Sequence, residues 1–252
     1  MSSKAASTLS LPDYRIRVSS RARRLSLRVE SGQGVIVTIP RGFSPQRVPA
    51  FIARHRQWIE ARLAEAAQRT PERFRQWPPE QLALPAVDLV LELSYAARSD
   101  RDARHAAAPT AGNLGRTRQL RVKADSADRA AVVGELRLAL KALARQYFCV
   151  RLEMLAERHG LTYQRIQIRG QRTRWGSCSS TGTISLNYKL LFLSPELVDY
   201  VLLHELAHTR HLNHSPAFWR QLITMLPDAR QRDAMLDQAG REVPPWMELK
   251  AG

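Results

Sequence analysis

Residues 194–219 read SPELVDYVLLHELAHTRHLNHSPAFW, and no other stretch restricts the fold as strongly. Ser194-Pro195-Glu196 is a helix start: a capping hydroxyl, a proline whose fixed φ suits the first helical position, and an acid near the positive helix end. Val198, Val201, Leu202, Leu206 and Ala207 follow, so most of the surface of this helix is apolar and must be buried. Polar groups on such a helix need partners. The rest of the chain therefore has to enclose the helix and meet its polar side chains.

Those side chains are His204, Glu205 and His208, in the pattern H-E-x-x-H. At about 100° per residue, positions i and i+4 differ by about 40°, so both imidazoles leave one helix face. Two neutral imidazoles so placed suit zinc, and a catalytic zinc takes three protein ligands and keeps one position open. Glu205 stands beside such an ion rather than on it. There it can take a proton from an activated water and pass it to a leaving group.

The candidates for a third ligand are His211 and His214. In an unbroken helix His211 shares the face, but its Cα lies about 10 Å along the axis from that of His204, too far for bonds of about 2 Å to one ion. His214 serves only if the chain turns first. Asn213 tolerates the left-handed conformation that ends helices, and Ser215-Pro216 opens a second helix. These turn signals favour His214 and leave His211 as a bystander at the edge of the site. The spacing equals that of the metzincin pattern, with His211 where that pattern has glycine, so the turn has to be made differently.

Of the 252 residues, 44% are hydrophobic and 25% charged, which places the chain among soluble globular proteins with ample material for a core. No apolar run reaches membrane-spanning length, and the first residues lack the apolar segment of a secretory signal. A cytoplasmic protein without membrane contact is expected. Two cysteines, Cys149 and Cys178, are too few for a disulfide scaffold or a cysteine-rich zinc site. The net charge of +16 is concentrated early: residues 1–80 carry 15 Lys+Arg against 6 Asp+Glu. That region can meet nucleic acid, or be a solvated arginine-rich surface. Aromatic residues are too sparse among its arginines for a base-stacking platform.

YRIRVSS, RRLSLRVE and GVIVTIP alternate apolar with polar residues and predict strands. SPQRVPAFIARHRQWIEARLAEAAQ predicts a helix capped at Ser44. Residues 70–90 are proline-rich and irregular, leading into strands at VDLVLELSY and LRVKA. Ser126 is expected to open a long helix that ends near Gly160, with Val133, Leu136, Leu140, Leu143, Tyr147, Val150 and Leu155 on its apolar face. Strands YQRIQIR and TISLNYKLLF then flank the loop or hairpin GQRTRWGSCSSTG. Residues 97–118 are polar and Ala/Gly-rich, the best boundary candidate. The expected organisation is a disordered leader (1–12), an amino-terminal β-rich and helical subdomain (13–96), a linker or variable loop (97–118) and a catalytic domain (119–252) of α+β class.

The ordered set RGQRTRWGSC, ISLNYKLLFLSP, YVLLHELAH and NHSPAFW resembles the YgjP-like family of predicted metal-dependent hydrolases, which is related to the SprT-like metallopeptidases. The resemblance is strongest over residues 169–219 and weaker over RRLSLRVESGQGVIVTIPRGFS and FIARHRQWIEARL. It implies a zincin-like fold, His204, His208 and His214 as ligands of one Zn2+ or another divalent metal, and Glu205 as the catalytic residue. It leaves the substrate open, since both peptidase and nucleotide pyrophosphatase activities have been proposed within that family.

By analogy with zincins, in which a strand edging the cleft pairs with extended substrate, the strand Thr183–Tyr188 is expected to offer its backbone to a peptide. Arg174, Trp175 and Asn187 are candidates for lining the cleft or bracing the metal helix, and Tyr188 for stabilising an oxyanion; packing is the competing role for each. Cys178 is read as a small buried residue, Phe218 and Trp219 as anchors of the second helix, and His55, His105 and His159 as surface or packing residues. The leading expectation is a zinc-dependent metallopeptidase that cleaves peptide bonds with a metal-activated water and a glutamate general base. The alternatives are a hydrolase of nucleoside triphosphates, using Arg169, Arg172 and Arg174 on phosphate oxygens, and a DNA-associated protease of SprT-like type. A purely structural zinc is disfavoured, because it needs no base beside it.

Overall fold

The computed structural model describes residues 12–30, 34–95 and 117–249. The contacts divide the chain into two units, one of residues 1–75 with 248–250 and one of residues 76–247 with 251–252. The expected leader and most of the segment 97–118 lie outside the described residues. The division falls after Arg75 rather than within 97–118, because the strands on either side of that segment pair with each other in one sheet.

The first unit is built on alternation. Strands β1 (Tyr14–Ser19), β2 (Ser26–Glu30) and β3 (Gly34–Pro40) form a sheet in the order β1-β3-β2, with β1 parallel and β2 antiparallel to β3. Successive side chains on a strand point to opposite faces. Val35, Val37 and Ile39 therefore share one face, which is buried with Val48, Ile52 and Ile59. Those last three come from α1 (Val48–Arg54) and α2 (Arg56–Arg69). The predicted single helix breaks at His55, whose Nδ1 lies 2.8 Å from the Phe51 carbonyl oxygen. Pro49 sits in the first turn of α1, where its missing N–H has no partner to lose.

In the second unit β4 (Gln81–Leu84), β5 (Leu89–Tyr95) and β6 (Thr117–Val122) make a sheet of order β4-β5-β6. β4 lies in the stretch read as irregular. A thirty-residue helix, α3 (Arg129–Arg158), follows. Its cap is Asp128, not the expected Ser126: the Asp128 carboxylate accepts the Ala131 N–H at 3.0 Å. Its buried stripe runs Val133, Leu136, Leu140, Ala144, Phe148, Leu152 and Leu155, at spacings of three and four. Val150, expected on that stripe, is 60% exposed. Each wholly buried Leu or Phe contributes about 1.5–3 kcal/mol. Gly160, at φ 60°, ends the helix in the left-handed conformation.

The sheet next to the motif helix consists of β7 (Arg165–Arg169), β8 (Gly176–Cys178) and β9 (Thr183–Asn187), in the order β7-β9-β8. Helices α4 (Pro195–Ala207), α5 (Pro216–Met225) and α6 (Ala229–Ala239) complete the unit. α4 packs against α3, α5, α6 and β8. Arg151 of α3 clasps Asp199 of α4 with both ends of its guanidinium, at 2.7 and 2.5 Å. Arg232 of α6 donates to the Glu196 carbonyl at 2.7 Å. The apolar helix is thus enclosed, as its composition requires. No helix among the described residues is long and apolar enough to cross a membrane.

Candidate metal centre

α4 ends at Ala207, with His208 as its cap, and the chain turns before α5 starts at Pro216. The turn differs from the expected one. Among the described residues only Asp88 combines a side chain with positive φ, so Asn213 is not left-handed. Instead its side-chain oxygen accepts the Ser215 N–H at 3.3 Å, and Ser215 Oγ accepts the Phe218 N–H at 3.4 Å to cap α5. The result swings His214 back over α4.

The Nε2 atoms of His204, His208 and His214 form a triangle with sides of 3.1, 3.2 and 3.0 Å. An imidazole nitrogen carries one hydrogen or one lone pair in the ring plane, so it cannot serve both neighbours as a hydrogen-bond partner. Three such nitrogens converging on one point suit a shared cation. The centre of the triangle lies about 1.8 Å from each corner, close to the bond length of about 2.0–2.1 Å that an ion held by all three nitrogens would need. His211 takes no part with its ring. Its carbonyl oxygen lies 2.8 Å from His208 Nδ1, which donates to it. That bond places the His208 hydrogen on Nδ1 and frees Nε2 as a ligand atom. His204 Nδ1 lies 3.2 Å from the Tyr200 hydroxyl, which donates to Asp233 at 2.6 Å.

Phe218 is the floor under all three rings. Its centroid lies 4.9, 4.5 and 4.9 Å from those of His204, His208 and His214, and it is fully buried. Trp219 lies 6.3 Å from His214. Burial pushes His204 down to about 4, helped by His208 and His214, and burial also lowers His208. Both rings are neutral near pH 7, the state a metal requires.

Glu205 is 5% exposed, and its Oε2 has no hydrogen-bond partner. A buried carboxylate oxygen without a partner is costly to maintain and calls for a polar group beside it. Burial pushes the Glu205 carboxyl up to about 8, against the pull of Arg174. Gly176 of β8 makes room for it: a Cβ there would sit 2.5 Å from Glu205 Oε1. Cys178, also on β8, is a half-buried thiol raised by burial to about 11 and stands outside the histidine cluster.

The remaining sequence candidates divide. Arg174 is exposed and Trp175 half-buried, both just before β8. Asn187 is 2% exposed, and its amide donates to the Gln171 and Arg174 carbonyls at 2.8 and 2.9 Å. Tyr188 is 1% exposed, with its hydroxyl 3.9 Å from Met247 Sδ. Asn187 therefore braces the loop before β8, and Tyr188 is packed in the core. β9 is also the central strand, paired on both sides, so its backbone is already engaged; the edge strands are β7 and β8, of which β8 packs against α4. Tyr200, Asp233 and Gly176 escaped the sequence reading. Tyr200 had one signal, its i,i+4 spacing from His204.

Residues 23–239 match the YgjP-like metallopeptidase domain. The chain belongs to the YgjP-like family. It is accordingly a metal-dependent hydrolase of α+β, zincin-like fold, and its family implies a divalent metal. The metallopeptidase zymogens abylysin of Pyrococcus abyssi and jannalysin of Methanocaldococcus jannaschii are similar at 30% and 22% identity. Each alignment covers 34% of this chain and 90% of the other, with TM-scores of 0.32 and 0.31. A comparison with curated proteins gave no match.

Proposed function

We propose that the chain is a zinc peptidase in which His204, His208 and His214 hold the ion and Glu205 is the general base. What carries this reading is the triangle of Nε2 atoms at 3.0–3.2 Å together with Glu205, next to His204 in the chain, whose buried Oε2 has no hydrogen-bond partner. Three neutral imidazoles with an open side are the donor set of catalytic zinc. When bound, the ion supplies a Lewis acid that polarises a carbonyl and lowers the pKa of water. Glu205 takes the proton of the attacking water and delivers it to the leaving nitrogen. Burial alone favours the neutral acid, a cation held by the three imidazoles would favour the ionised carboxylate that accepts the proton, and Gly176 leaves the space which that carboxylate occupies.

Peptide docks as a further strand on β8. Asn187 N–H donates to the Trp175 carbonyl at 2.8 Å and Ser179 N–H to the Thr183 carbonyl at 3.0 Å, with Ser177 opposite Ser185 between them. In an antiparallel ladder the alternate residues point their N–H and C=O away from the partner. Those residues are Gly176 and Cys178, so their backbone groups face outward along the edge nearest Glu205. Arg174 and Trp175 flank the entry to this edge and contact substrate side chains.

The test compares the zinc-loaded protein on unfolded protein and on nucleoside triphosphates. Cleavage of peptide bonds alone supports the reading. Phosphoanhydride cleavage alone contradicts it and assigns Arg174 and Arg172 to phosphate oxygens.

A further inference from the structure

We propose that Tyr200 and Asp233 form a relay that positions His204: the carboxylate accepts the phenol hydrogen, and the phenol oxygen accepts the His204 Nδ1 hydrogen. The inference rests on the reading of His204 as a metal ligand and adds two positioning residues to it.

The distances fix the direction of the relay. A carboxylate only accepts, and the Tyr200 hydroxyl has one hydrogen. At 2.6 Å that hydrogen belongs to Asp233, and at 3.2 Å the phenol oxygen is left to accept from His204 Nδ1. His204 then carries its hydrogen on Nδ1 and presents an Nε2 lone pair to the other two imidazoles. The opposite arrangement would put a hydrogen on Nε2, inside the triangle, where no cation could be bound. Carboxylates that orient metal-binding histidines usually touch them directly; here a phenol stands between.

The elements hold the three groups in line. Tyr200 and His204 are four residues apart on α4 and so share a face. Tyr200 is 1% exposed, and its ring meets that of His204 edge-on at 5.7 Å. Burial and the hydrogen bond to Asp233 both raise the Tyr200 pKa, which keeps the phenol a donor. Asp233 arrives on α6, which is fastened to the start of α4 by the bond from Arg232 to the Glu196 carbonyl. His208 obtains the same tautomer from a backbone carbonyl. Two of the three imidazoles are thus set by their outer nitrogens.

The test uses the whole chain labelled with 15N-histidine, as wild type, Tyr200→Phe, Asp233→Asn, Asp233→Ala and Tyr200→Phe/Asp233→Ala. Long-range 15N–1H spectra of the metal-free proteins report the tautomer, and competition with a chelator reports zinc affinity. Wild type is expected to hold its His204 hydrogen on Nδ1. Tyr200→Phe should move it to Nε2 in part or whole and weaken zinc binding by about 10–100-fold. Asp233→Ala should weaken it by a similar factor and Asp233→Asn, which keeps an acceptor, by less. The double variant should be no worse than Tyr200→Phe, because Asp233 acts through the phenol. An unchanged tautomer in Tyr200→Phe, or zinc affinity within threefold of wild type, overturns the relay. His204→Ala is the separate control: full zinc binding without this imidazole overturns the ligand assignment itself and leaves the relay nothing to position.

Discussion

A methyl group at Gly176 would occupy the space of the Glu205 carboxylate. Built on the backbone, the added Cβ sits 2.5 Å from Oε1, 2.7 Å from Cγ and 2.9 Å from Cδ of Glu205. Ordinary contact between such atoms is about 3.5–4.0 Å, so in Gly176→Ala either the glutamate or β8 must yield by about 1 Å. Glu205 is 5% exposed, so overpacking should cost about 1–3 kcal/mol of stability. Displacement of a reacting group by about 1 Å costs about 100-fold in rate, or about 2.7 kcal/mol in the barrier. The three imidazoles stand apart from this contact and should keep the metal. The assay is the rate of peptide cleavage by Gly176→Ala and wild type, each with its zinc measured. The expected result is a rate about 100-fold lower at equal zinc content. A rate within threefold of wild type refutes the steric argument, and loss of zinc along with activity refutes the separation of base from ligands.

Zinc content of His214→Ala should fall sharply, whereas His211→Ala should keep its metal, because His211 contributes a carbonyl and not a ring; metal analysis after dialysis decides between them. The metal-free protein should lose stability as pH rises from about 6.5 to 8, read as a falling Tm. In that window the folded protein still binds the Glu205 proton, up to about 8, while the unfolded chain has released its own near 4.5, so the folded state binds more protons. His204 opposes this only below its ordinary 6.5, being neutral in both states above it. The loss is about 2 kcal/mol at most, and Glu205→Gln should abolish it. Arg151→Ala removes the clasp between α3 and α4, whose side chains are 29% and 22% exposed, and should lower Tm by about 2–4 °C, for about 1 kcal/mol.

The site was most legible where its geometry is local. The spacing of His204 and His208, the cap at Ser215 and the return of His214 all depend on neighbours within a dozen residues. The turn itself was legible in place but not in mechanism: Asn213 works through its side-chain oxygen rather than a left-handed backbone. What depends on strand order was not legible. Asn187 and Tyr188 lie in a stretch that reads as one strand, yet β9 ends at Asn187, Tyr188 opens a 3₁₀ turn, β7 and β8 enclose β9, and both side chains are buried. Residues 97–118 have the composition of a linker, but the pairing of β5 with β6 joins what lies on either side. Tyr200 and Asp233 meet only because α6 folds back on α4, across 33 residues of sequence. Gly176 looks like any loop glycine until α4 brings Glu205 against it.

In the proposed chemistry Glu205 moves the proton while the three histidines hold the metal. The most direct measurement is the single-turnover rate of peptide-bond cleavage by zinc-loaded Glu205→Gln, beside wild type, with zinc quantified in both. Zinc should be equal in the two proteins and the rate lower by about 100–10,000-fold, the range for loss of a general base. Equal zinc with a wild-type rate would contradict it.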